Sequence, residues 1–158
     1  MEFKLPNRKE NSNKSTYGRV LNIAGSDYMP GAAYLSSVSA LKTGCGYCYL
    51  CSTERAIDAV AAQTQNIVFI PQNKVQNYIQ NADVIEAGCG LGTDIQSVKM
   101  FSKIIDNASV ETPIILDADA LNILAQNDFD QIYDFTNKKF EKLVFTPHPK
   151  EAARLLGI

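Results

Sequence analysis

Several things are scarce in this sequence, and each scarcity removes a class of function. Neither sign of charge dominates: 15 Lys and Arg stand against 17 Asp and Glu, for a net charge of −2. A broad nucleic-acid surface is therefore not expected. Long apolar runs are missing, and none approaches the ~18 residues of a membrane span. The opening Met1-Glu-Phe-Lys-Leu-Pro-Asn-Arg-Lys-Glu10 holds no hydrophobic signal core. The expectation is a cytoplasmic protein with reduced thiols. No Walker A sequence occurs, and no first strand–helix unit carries G-x-G-x-x-G. Histidine occurs once, at position 148.

What is there describes an ordinary globular chain. It has 158 residues, of which 46% are apolar and 20% charged. A domain of this size holds one sizeable core and buries roughly 68–70% of its unfolded surface. Cys45, Cys48 and Cys51 form C-x-x-C-x-x-C, a spacing that superficially suggests zinc or iron–sulfur. Residues 46–51 read better as a strand. On a strand, Cys45 and Cys51 would stand about 20 Å apart at ~3.3 Å per residue, with Cys48 on the opposite face. Metal–sulfur bonds of ~2.3 Å cannot collect such a set. Small, buried strand residues are the expectation.

The central stretch is Arg19-Val-Leu-Asn-Ile-Ala-Gly-Ser-Asp-Tyr-Met-Pro-Gly-Ala-Ala33. It reads as a buried strand (20–24), a glycine turn and a small-residue helix (31–42), an arrangement that points backbone N–H groups at an anion. Residues 1–18 read as a polar arm and 19–158 as one unit. Further strands are expected at 46–51, 66–70, 83–87, 113–117 and 143–146. Helices are expected at 54–62, from Pro71 to about 80, from about 94 to 107, at 118–125, 129–136 and 149–156. Thr53 and Asp94 are among the candidate helix caps. Strands alternating with helices imply βαβ units and a mainly parallel sheet.

Ligands of such sheets bind beyond the carboxyl ends of the strands. Segments 25–33, 88–94, 117–122 and 146–151 all fall there. Gly88-Cys-Gly-Leu-Gly92 permits close backbone approach. Asp117 and Asp119 offer carboxylates for a hydroxyl or for magnesium through water, or else cap the next helix. His148 sits in a rigid loop between Pro147 and Pro149.

As an ordered set, these segments resemble the ADP- or ATP-dependent NAD(P)H-hydrate dehydratases of the ribokinase-like superfamily. The matching pieces are Lys14-Ser-Thr-Tyr-Gly18, Ile23-Ala-Gly-Ser26 with Met29-Pro-Gly-Ala-Ala33, Gly88-Cys-Gly-Leu-Gly92, Leu116-Asp-Ala-Asp-Ala-Leu-Asn122 and Thr146-Pro-His-Pro-Lys-Glu151. The resemblance implies an α/β, three-layer ribokinase-like fold and a lyase that repairs hydrated nicotinamide cofactors. The substrate's 6-hydroxyl would be phosphorylated and the phosphate eliminated, restoring NADH or NADPH. ADP or ATP would be the phosphoryl donor, with Mg2+. The resemblance places Gly31, Ala32, Gly88, Gly90 and His148 at the hydrate, and Asp117 and Asn122 near phosphate or magnesium.

Asn13, Ser15, Cys89 and Lys150 depart from the usual family residues. The family's later Gly-Thr-Gly-Asp motif, whose aspartate is the catalytic base, has no counterpart here. The expectation is an N-terminal portion, truncated before the C-terminal part of the fold and inactive alone. It would be completed by a complementary C-terminal half or associate as a homo-oligomer, with no nucleic-acid or membrane partner. A small-alcohol or vitamin-precursor kinase and a non-catalytic ligand- or partner-binding remnant are the alternatives.

Overall fold

The computed structural model describes residue 7 and residues 10–126 and 140–158. The helix expected at 129–136 lies outside the described residues. Six strands form one parallel sheet: β1 (Arg19–Ile23), β2 (Tyr47–Ser52), β3 (Val68–Pro71), β4 (Val84–Ala87), β5 (Ile114–Leu116) and β6 (Leu143–Phe145). The helices are α1 (Pro30–Lys42), α2 (Glu54–Ala61), α3 (Val75–Asn81), α4 (Ile95–Asn107), α5 (Asp119–Leu124) and α6 (Pro149–Leu156). Every expected strand within the described residues is found, with ends displaced by no more than two residues. None of the described helices is long and apolar enough to cross a membrane.

The spatial order is β3-β2-β1-β4-β5-β6. The chain leaves β1 toward β2 and β3, then returns to the other side of β1 at β4. The carboxyl ends of β1 and β4 are therefore the point where successive connections diverge, which in doubly wound sheets opens the ligand crevice.

Alternation along the strands sorts the sheet's two faces. Leu21, Ile23, Cys51, Ile70, Ile85, Ala87, Ile114 and Leu116 form the larger core with α3, α4 and α5, through Val75, Ile79, Phe101, Ile104 and Leu121. On the opposite face, Leu50 joins Ala33, Val60 and Ile67 in a smaller core under α1 and α2. Cys48 and Cys51 sit buried on β2, and burial pushes both thiols up to about 12. They behave as small apolar residues, on a strand as expected. Cys45 precedes that strand rather than lying on it.

The last part of the expected arm is anchored. Residues Lys14–Tyr17 make a 3-10 turn. Gly18 then accepts hydrogen bonds from the backbone N–H groups of Gly46 and Tyr47, and Asp83 Oδ2 accepts one from Arg19 N–H at 2.8 Å. Thr53 and Asp94 cap α2 and α4, each accepting from backbone N–H groups of the first turn.

Candidate functional site

The loops after β1 and β4 are laced together. Gly25 N–H donates to the Cys89 carbonyl at 2.8 Å, and Gly88 N–H donates to the Ile23 carbonyl at 3.1 Å. The glycines are required by space as well as by backbone angle. Gly88 has φ 125°, and a Cβ there would fall 1.8 Å from the Asp117 carbonyl oxygen. Gly90 has φ 65°, and its Cβ would fall 2.7 Å from Ala32 Cβ and 3.0 Å from Met29 Cβ. The glycine loop thus lies directly on the start of α1, and Gly90 and Ala32 are brought face to face. Gly31, one residue earlier, has open space around its Cα. It is not needed for this packing.

The third loop fastens to the second. Asp119 Oδ2 accepts from Gly92 N–H at 2.8 Å, and Asp119 N–H donates to the Gly88 carbonyl at 3.3 Å. Asp119 opens α5 rather than capping it, and its carboxylate ties two loops together. Between the two aspartates, Ala118 adopts φ 47°, ψ −114°. That conformation costs a non-glycine residue about 1–3 kcal/mol and is held by its surroundings.

Asp117 and Asn122 face different surroundings. Asp117 Oδ1 accepts from Ala118 N–H at 2.9 Å, and Oδ2 accepts from the Cys89 thiol at 3.5 Å. Asn122 Oδ1 instead accepts from Arg154 Nη1 at 2.6 Å, while its Nδ2 donates to Asp119 Oδ1 at 3.3 Å. A 450 Å³ cavity lined by Thr93, Asp119, Asn122 and Arg154 lies there. Among the described residues, no group of three His, Cys, Asp or Glu stands close enough to hold a metal ion.

His148 is the N-cap of α6. Its Nδ1 accepts from Lys150 N–H at 3.1 Å, so the ring proton is on Nε2, which lies 3.1 Å from Glu151 Oε1. Glu151 Oε2 accepts from His148 N–H at 3.0 Å, closing a capping box. The imidazole is about half exposed but both ring nitrogens are engaged. A polar ligand contact at His148 has to replace one of these bonds.

Sequence reasoning missed Glu86 and Asn22. They are register partners on β4 and β1. Asn22 donates through Nδ2 to Ser36 and Ser37 of α1 while its Oδ1 is buried without a partner, and the buried Glu86 carboxylate lies beside Cys89. Burial pushes the Glu86 carboxyl up to about 7, with the nearby Asp117 charge adding to the shift and Cys89 opposing it. The signal was present: each is a single polar residue inside an apolar strand. The Cys89 thiol is pushed up by burial and by both carboxylates, so it is not a thiolate nucleophile.

Comparison with known proteins gives the family and the fold. The chain is 34% identical over 151 residues to the ADP-dependent (S)-NAD(P)H-hydrate dehydratase of Neisseria meningitidis serogroup B, a match covering 95% of this chain and 49% of that protein. It is 28% identical to the enzyme of the same name from Listeria monocytogenes, covering 96% of this chain and 53% of the relative. Its fold superposes on the ADP/ATP-dependent NAD(P)H-hydrate dehydratase of Bacillus subtilis, co-crystallized with ATP/Mg2+, with a TM-score of 0.74 and 31% identity over 98% of this chain and 52% of that one. A ribokinase-like superfamily protein from Enterococcus faecalis V583 gives a TM-score of 0.85 at 26% identity, covering 94% of this chain and 51% of that one. The chain spans about half the length of the curated relatives it matches. Residues 20–158 match the family model described as NAD(P)H-hydrate dehydratase, and the chain belongs to that family.

Proposed function

We propose that this chain forms the substrate-gripping half of an ADP- or ATP-dependent NAD(P)H-hydrate dehydratase, working in the cytoplasm on NADH or NADPH hydrate. The carrying observation is the seating of Gly90 against Ala32 at the divergence of β1 and β4. It packs the glycine loop tightly on the start of α1, so that the two segments can present one surface to a flat ring. The hydrate's ring rests on Gly31, Ala32, Gly88 and Gly90, and His148 contacts it from the β6 end of the rim. The nucleotide supplies the phosphoryl group that turns the 6-hydroxyl into a leaving group; Asp117 and Asn122 stand toward the phosphates. Among the described residues the carboxylates do not amount to a magnesium site by themselves.

A complementary C-terminal half provides the base and most of the nucleotide pocket. Support comes from the sheet: on the α1 face, Val144 of β6 is 50% exposed, whereas a parallel sheet is ordinarily covered on both faces. A coupled assay tests the reading. NADH absorbance is followed from NADH hydrate with ADP or ATP and magnesium, for the 158-residue chain alone and with a homologous C-terminal half. No turnover by the chain and measurable turnover by the pair are expected. Turnover by the chain alone would place the base among its own carboxylates.

A further inference from the structure

A separate opening lies beyond the β1–β4 crevice, at the ends of β2 and β3. It is a 770 Å³ cavity lined by Asp27, Ser52, Thr53, Arg55, Asp58 and Gln72, among others. Its volume is that of a site for a nucleoside-sized group. At its floor, Ser52 is 3% exposed and its Oγ is buried with no hydrogen-bond partner. A buried hydroxyl without a partner has lost its water and gained nothing in return, which a ligand can make good by bonding to it. The α2 N-terminus is not the attraction here, because Thr53 Oγ1 already accepts from Ala56 N–H.

The charges around the opening decide the ligand's chemistry. Asp27, Glu54 and Asp58 outnumber Arg55 on the lining. Carboxylates and a serine hydroxyl favour a group that donates hydrogen bonds and disfavour a phosphate set directly against them. Sugar diols fit that description, as in sites where an acidic residue accepts from a ribose hydroxyl.

The position suits a long substrate. Ser52 ends β2, and Gly88 to Gly92 follows β4, with β1 between them. Two strand spacings are about 10 Å. The Gly25 loop, whose Cβ would fall 3.1 Å from Ser52 Oγ and 2.6 Å from Ala33 Cβ, is the divider between the two openings.

Building on the hydrate reading above, we infer that this cavity is a subsite for a ribose diol of the dinucleotide substrate, with Ser52 and Asp58 as its hydrogen-bond partners. The hydrated nicotinamide then lies at Gly90 while the far ribose reaches β2 and β3. A free diol is preferred over a 2′-phosphorylated ribose, and so NADH hydrate over NADPH hydrate.

The test uses ADP-ribose, which has no nicotinamide, titrated into the 158-residue chain. Amide resonances of residues 52–58 and 71–73 should shift. Ser52→Ala and the surface variant Asp58→Asn should each weaken ADP-ribose binding about 3- to 10-fold, the loss of one hydrogen bond. The 2′-phosphorylated ADP-ribose should bind more weakly than ADP-ribose. Absence of ADP-ribose binding, binding that neither variant weakens, or equal or tighter binding of the 2′-phosphorylated form would overturn the subsite. Turnover of NADH hydrate in the coupled assay reads out separately. Ser52-dependent ADP-ribose binding with no turnover even by the pair with the C-terminal half would sink the dehydratase reading and leave the subsite standing.

Discussion

The two flanks of the sheet are built from similar apolar strands but reach different ends. Around β1, β2 and β3, both faces are covered: Leu50 and Ile70 are buried under opposite helical layers. Across β5 and β6, α5 and α6 close one face, and on the other Val144 stands half exposed. Phe145 at the end of β6 is 42% exposed. Burial is therefore more complete at the first flank's core positions, and the second flank leaves apolar surface open. The glycine loops sit at the seam between them.

The largest effect tests the seam itself. Gly88→Ala drives a Cβ into the Asp117 carbonyl and demands φ 125° of an alanine. Loss of several kcal/mol, or of the folded state, is expected in urea titrations. Wild-type stability would mean that the loops are not fixed as described.

Next comes the contrast between flanks. Leu50→Ala empties a fully buried position and should cost about 2–5 kcal/mol. Val144→Ala should stay within about 0.5 kcal/mol in the chain alone. With a C-terminal half docked, the Val144 variant should instead weaken the complex; an unchanged affinity would break the comparison by showing that β6 is not a contact.

Glu86 gives the pH dependence. Its carboxyl is pushed up to about 7 in the folded chain, above the ordinary value of 4.5, so the folded state holds that proton more tightly than the unfolded one. Its contribution is fully present below pH 4.5, is lost as the pH rises through 7, and is level above that. The span is about 3 kcal/mol at most. Glu86→Gln should flatten that slope, stabilising the protein at pH 8 and changing little at pH 4. A slope that survives the substitution would assign it elsewhere.

The smallest effect separates two roles for His148. As the α6 cap, His148→Ala should cost about 0.5–2 kcal/mol of stability, while His148→Asn should restore much of it. Hydrate binding by the completed enzyme should fall in both variants. Recovery of binding with asparagine would make His148 a cap alone.

How much of this was legible in the sequence follows from how local each signal is. Strand and helix positions came from periodicity, and the caps at Thr53 and Asp94 from residue type beside a helix start; both are short-range. The glycine loop and its floor at Ala32 were marked by ordered motifs. What did not appear depends on partners far along the chain. Asp119 was read as a cap or a ligand group, because its tie to Gly92 spans 27 residues. The cap at His148 is an exception: Glu151, only three residues on, already carried the capping-box signature. Ser52 read as an alternative to Thr53 for the cap of α2, and only the fold shows that its hydroxyl is unmatched and lines a cavity.

The lacing of Gly25, Gly88 and Gly92 also has a kinetic meaning. Their amide protons lie in loops, which ordinarily exchange with solvent quickly. Here each is held by an oxygen from another loop or strand: the Cys89 carbonyl, the Ile23 carbonyl and the Asp119 carboxylate. Together they tie the loops after β1, β4 and β5 into one seam, so these amides should exchange as one cooperative unit. Deuterium uptake at the three glycines should thus report opening of the whole seam rather than fraying of a loop.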